Sequence, residues 1–174
     1  MNQGVIAFAR IPDQRPLQEV VNQERFCVVA LNGIDHAVNV GSILRNCAAF
    51  NVSAVILDAV TVHPYCWRSV QASVGGVFQV PFYVASDLAL LLKRIRGEGA
   101  MLVAADPSGG MVLADLKIPE KVCLILGNEH RGISTNILSL RPERTVIPIE
   151  KVDSLNVAAA SAIFLHEISL RWNV

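Results

Sequence analysis

Short, continuous apolar runs recur along this chain, and stretches of helical spacing separate them. The runs fall at 26–31, 54–57, 80–84, 101–105 and 121–126, with a shorter one at 145–149. Runs of this length without apolar/polar alternation suit strands buried on both faces of a sheet. Between them, residues 40–50 set Val40, Ile43, Leu44, Cys47 and Ala48 at helical spacing. Residues 88–96 form an amphipathic helix capped by Ser86 or Asp87, with Lys93, Arg94 and Arg96 at its C-terminal end. A short helix is expected before Gly75-Gly76, and a long final helix, capped by Asp153 or Ser154, runs towards Trp172. Strands alternating with helices predict an α/β fold: a mostly parallel sheet with helices on both faces.

With 174 residues the chain suits one domain with a sizeable core. Residues 1–25 are polar and punctuated by Pro12 and Pro16, and read as an N-terminal arm or linker before a domain at 26–174. Hydrophobic residues make up 52%. That excess fits a sheet covered on both sides and a subunit interface. It does not fit a membrane span, because the apolar stretch at 157–165 is far short of roughly 20 residues. No signal-peptide pattern opens the chain, so a cytoplasmic location is expected. The four cysteines show no CxxC pairing or metal-ligand spacing, which predicts reduced, mostly buried thiols and no metal. Fifteen basic and fifteen acidic residues cancel, which argues against a free-standing nucleic-acid clamp and leaves room for a local basic patch.

Polar and glycine residues gather after three of the apolar runs. They are Asn39-Val40-Gly41 with Arg45, the stretch from Gly127 to Gly132, and Ile147-Pro148-Ile149 with Ser154-Leu155-Asn156-Val157. In an open α/β sheet, ligands bind where strands give way to loops and helix starts, so these segments are expected to converge. The G-x-G-x-x-G, G-x-x-x-x-G-K-[ST] and G-x-S-x-G patterns are all absent. What remains is a ligand without phosphates, held by backbone groups and glycine turns. Gly41 permits close backbone approach, and Gly127 would let a ligand lie against the strand end. Glu129 either orients its loop or complements a helix dipole. Arg45 either grips a phosphate or forms a surface salt bridge. Ser154 and Asn156 either face a ligand or cap the last helix.

Taken together and in this order, the three motifs resemble those of the SpoU/TrmH group of SPOUT RNA methyltransferases, over roughly residues 26–172. The resemblance implies a C-terminal deep trefoil knot, a homodimer, S-adenosyl-L-methionine as cofactor, and methyl transfer to a ribose 2′-hydroxyl of tRNA or rRNA. It assigns the catalytic set to Arg45, Asn39, Glu129, Ser154 and Asn156. Arg45 would orient the substrate and stabilise charge, since a guanidinium keeps its proton. Leu126, Gly127, Asn128, Gly132, Ile147, Ile149, Leu155, Asn156 and Ala158 would hold the cofactor, with Ile147 and Leu155 against adenine. Ile149 stands where methionine is common in the group. Ser69 and Ser73-Val74-Gly75-Gly76 resemble a further element bordering the partner's site. His63, Tyr65 and Trp67 either stack on RNA or pack in the core or an interface. Many relatives carry an N-terminal RNA-binding domain, where this chain shows only the arm, so weak RNA affinity is expected. A non-catalytic RNA-binding protein with the same knotted fold is the alternative, and cofactor binding separates the two.

Overall fold

Seven strands form one sheet, and every neighbouring pair in it runs parallel. The structure, a computed structural model, describes Arg10 and residues 16–172. The strands are β1 (Phe26–Asn32), β2 (Ala54–Asp58), β3 (Phe82–Ala85), β4 (Met101–Ala105), β5 (Met111–Val112), β6 (Lys121–Gly127) and β7 (Glu143–Val146). Their spatial order is β3-β2-β1-β6-β4-β7-β5. Thus β6, β4 and β7 are neighbours, and their C-terminal ends share one edge of the sheet.

Period-two alternation sends each strand's side chains to two separate cores. From β1, Cys27, Val29 and Leu31 join one cluster while Phe26, Val28 and Ala30 join the other. From β6, Val122, Leu124 and Leu126 oppose Cys123 and Ile125 in the same way. The first core is covered by α2 (Ala37–Ala49) and α6 (Val157–Trp172), through Val40, Ile43, Leu44, Cys47, Phe164, Leu165 and Ile168. The second is covered by α1 (Leu17–Val21), α4 (Leu88–Gly97) and α5 (Thr135–Leu138). Both faces are therefore dry, which accounts for the unbroken apolar runs.

The remaining helix, α3 (Trp67–Ser73), packs on α2. A Cβ on Gly41 would collide with the Ser69 carbonyl and come within 2.7 Å of Ala72 Cβ. Glycine at 41 thus permits this helix crossing. Val74 and Gly75 then take left-handed conformations, φ +49° and +88°, and end α3 before a 3-10 turn at Gly76–Phe78.

Several boundaries differ from expectation. The strand predicted at 145–149 ends at Val146, so Ile147 and Ile149 lie beyond the sheet, free to line a loop. Of the residues expected to cap the final helix, Asn156 does so rather than Asp153 or Ser154. Asn156 Oδ1 accepts from the N–H groups of Ala158 and Ala159, at 2.9 and 3.3 Å. Asp87 caps α4 as one of the two expected residues, accepting from Leu90 N at 2.9 Å. The short elements α1, α5 and β5 carry too few residues to show a period. Of the expected arm, 1–9 and 11–15 lie outside the described residues, while Val20 and Val21 of α1 are buried in the second core.

Candidate functional site

The turn after β6 is built by its own polar groups. Asn128 and Gly132 exchange both backbone hydrogen bonds, at 3.1 and 2.9 Å. Inside it, Asn128 Oδ1 accepts from His130 N and Arg131 N, at 2.9 and 3.0 Å, while Nδ2 donates to the Gly33 carbonyl at 2.8 Å. Gly132 sits at φ +67°, where a side chain would be strained. A Cβ on Gly127 would come within 2.6 Å of Gly132 C and Ile133 N. Its missing side chain therefore accommodates the returning turn.

This turn presents Glu129 to two asparagines. Asn39 Nδ2 donates to Glu129 Oε2 at 2.8 Å, and Asn156 Nδ2 donates to Glu129 Oε1 at 2.8 Å and to Asn39 Oδ1 at 3.0 Å. The orientation of Asn156 is dictated by its oxygen, which caps α6. A ring of three side chains thus ties the start of α2, the β6 turn and the start of α6 together. Both donors are neutral amides, so the ring gives the carboxylate no cationic partner. Among the described residues Glu129 forms no ion pair.

Beside the ring lies a cavity of about 370 Å³, within the range of small-molecule sites. Its walls come from the ends of β6, β4 and β7 and from the lead into α6. Leu126, Gly127, Asn128, Glu129, Gly132, Ile147, Ile149, Ser154 and Leu155, all expected at the site, line it together. Asn39 and Asn156 reach it through Glu129. Ala158 is buried in α6 and does not line the cavity. Neither does Arg45, an exposed residue on α2 whose Cα lies 2.8 Å from a Cβ built on Gly76.

The motif reading missed one wall entirely. Ala105 at the end of β4 and Asp106, Pro107 and Ser108 after it line the cavity, as do Thr145 and Phe164. Asp106 accepts from Ser108 N at 2.8 Å and from Arg144 Nε at 2.7 Å, and Asp106 N donates to Thr145 O at 3.0 Å, fixing this loop to β7. The strand-end rule applied to β4, with its Asp-Pro-Ser-Gly-Gly loop, was the available signal.

Among the described residues no cluster of His, Cys, Asp and Glu could hold a metal ion, and no helix is long and apolar enough to cross a membrane. Cys27, Cys47 and Cys123 are buried free thiols, and burial raises the Cys27 thiol to about 12.

Residues 27–166 match the SpoU rRNA Methylase family. An uncharacterised tRNA/rRNA methyltransferase of Mycobacterium bovis is 32% identical over 176 residues, 96% of this chain and 59% of that protein. One from a Synechocystis strain is 32% identical over 130 residues, 74% of this chain and 47% of that protein. The chain thus spans only about half to three fifths of these curated relatives. Among solved structures, the AdoMet-bound rRNA methyltransferase from Sinorhizobium meliloti superposes with TM-score 0.82 at 29% identity, covering 93% of this chain and 62% of that one. The SpoU methyltransferase AviRb from Streptomyces viridochromogenes, in complex with the cofactor AdoMet, gives TM-score 0.81 at 24% identity, covering 87% and 59%, a likeness of fold.

Proposed function

The chain belongs to the SpoU rRNA Methylase family, and on that footing we propose that it is the catalytic part of an S-adenosylmethionine-dependent methyltransferase acting on a ribose 2′-hydroxyl of tRNA or rRNA. The observation that carries this reading is the convergence of three strand-end loops on one cavity whose wall bears an uncompensated carboxylate, Glu129.

The residues present fit the cofactor. Leu126, Ile147, Ile149 and Leu155 offer apolar surface for a purine, and the arginine in the lining, Arg131, pairs with Asp35 at 3.7 Å. The negative charge of Glu129, an exposed residue on the cavity wall, favours a cationic ligand. When bound, S-adenosylmethionine supplies a sulfonium methyl group for direct displacement. The protein's task is then alignment and exclusion of water. Glu129, Asn39 and Asn156 hold three chain segments in fixed relation, and Asp106 with Arg144 fixes the opposite wall. Ser154 lies at the mouth, able to meet the ribose.

Arg45 belongs to this reading as a residue acting across a homodimer. Its exposure on α2, away from its own cavity, supports action in trans, and the exposed apolar side chains Val38, Ile163 and Leu170 on the packed pair α2 and α6 support self-association. The reading also carries the trefoil knot, supported by β7 entering the sheet between β4 and β5 after both precede it in the chain. It implies a cytoplasmic location.

Calorimetry with S-adenosylmethionine, followed by mapping of ribose methylation in RNA from cells with and without the protein, tests the proposal. Cofactor binding and loss of a 2′-O-methyl mark in the deleted strain are expected. RNA binding without cofactor binding would instead favour a non-catalytic RNA-binding protein.

A further inference from the structure

The aromatic trio at 63–67 divides in the structure. His63 and Tyr65 pack edge-on against Phe82, with ring centroids 5.6 and 4.9 Å away, and Tyr65 stacks on Phe78 at 6.0 Å. Trp67 takes no part. It opens α3 with 74% of its surface exposed, more than any other large apolar side chain among the described residues. An exposed indole forgoes a large payload of burial. Arg68 beside it is exposed, and its side chain forms no ion pair among the described residues.

The local charge is one-sided although the whole chain is neutral. Between His36 and Ser86 the sequence holds a single carboxylate, Asp58. That group is engaged by Asn32 Nδ2 at 2.8 Å and by Thr61 Oγ1 at 2.7 Å. The helix is also tied to the site. Ser69 Oγ donates to the Ala37 carbonyl at 2.9 Å, two residues before Asn39, whose amide holds Glu129. The first turn of α3 therefore rides on the start of α2, which Asn39 ties to Glu129 on the cavity wall.

We propose that Trp67 and Arg68 form a docking step for the substrate RNA, the indole stacking on one unpaired base and the guanidinium neutralising a neighbouring phosphate. This rests on the RNA-methyltransferase reading. Base–aromatic stacking is tolerant of sequence, and unpaired loop bases are free to take part. A second copy of the chain is the rival occupant, but a two-fold contact there would bring Arg68 towards its own counterpart. Charge complementarity favours RNA.

The test titrates the intact chain, Trp67→Phe, Trp67→Ala and Arg68→Ala with total tRNA and with a short single-stranded oligoribonucleotide, across salt concentrations. RNA is expected to quench the wild-type indole emission, and Trp67→Phe to leave only an unresponsive Trp172. Trp67→Ala weakens RNA binding about tenfold while Trp67→Phe retains most of it. Arg68→Ala lowers the slope of log affinity against log salt by roughly 0.7. Sedimentation mass and S-adenosylmethionine binding stay unchanged. Unaltered RNA affinity in Trp67→Ala, absence of quenching by either RNA, or a change in sedimentation mass overturns the proposal, the last by assigning the face to a second copy. A chain that shows the RNA effects but binds no cofactor sinks the methyltransferase reading alone.

Discussion

The side-chain amide nitrogen of Asn156 lies 3.0 Å from the amide oxygen of Asn39, which joins residues 117 positions apart in the chain. Both amides also donate to Glu129. Neither amide can turn over without loss, because the oxygen of Asn156 caps α6 and that of Asn39 accepts from Asn156. Glu129→Gln therefore sets one N–H group against another. It should lower stability by about 1–3 kcal/mol and weaken S-adenosylmethionine binding. Thermal unfolding and calorimetry check both, and wild-type values in the variant would break the account of the ring.

The two alanine substitutions Gly127→Ala and Gly110→Ala should separate cleanly. At 127 the new Cβ meets backbone at 2.6 Å, which no side-chain rotation relieves, whereas at 110 nothing lies within 4 Å. Gly127→Ala should cost about 1–3 kcal/mol and displace the turn that lines the cavity, weakening cofactor binding at least tenfold. Gly110→Ala should change neither quantity measurably. Denaturant unfolding with calorimetry reads both.

The four thiols should react unequally. Burial raises the Cys27 thiol to about 12 and lifts those of Cys47 and Cys123 as well. Burial also raises Cys66, but hydrogen bonding with the Ser69 hydroxyl and with the backbone of Ser69 and Arg68, together with the Arg68 charge, outweighs it and leaves this thiol below its usual value. The thiolate is the reactive form. One equivalent of a maleimide should therefore react with the native chain near neutral pH, and four after denaturation. Ser69→Ala should move the alkylation midpoint of Cys66 to higher pH.

Arg45→Ala should abolish methyl transfer and leave cofactor binding near wild type. If Arg45 acts across a dimer, mixing Arg45→Ala subunits with Gly127→Ala subunits should restore part of the activity, because one hybrid site then has an intact pocket and an intact arginine. Absence of recovery in a mixture shown to exchange subunits would confine the guanidinium to its own chain's site.

Side-chain periodicity made the sheet legible, since β1, β2, β4 and β6 read directly as apolar runs buried on both faces. The two-residue β5 and the four-residue α5 were not legible, because neither completes a period. The helix cap was ambiguous for a different reason. Asp153, Ser154 and Asn156 all suit that position locally, and Glu129, held by a distant turn, favours Asn156. Arg45 was expected in one catalytic set with Asn39, and six residues of helix set the two about 9 Å apart along the axis with side chains roughly 120° apart. The core positions Val40, Ile43, Leu44 and Cys47 occupy the face that Arg45 leaves.

The central position of β6 sets a timetable for the nascent chain. Its neighbours β1 and β4 are both synthesised before it, so β1 leaves the ribosome with one hydrogen-bonding edge unfilled until residues 121–127 arrive, and β4, whose other neighbour is the still later β7, leaves with both unfilled. Pairing Phe26 with Lys121 is a long-range closure, and such closures slow folding. A polypeptide stalled before residue 121 would hold β1 open on one edge, β4 open on both, and no Glu129 turn, so the cavity is among the last features of the molecule to exist.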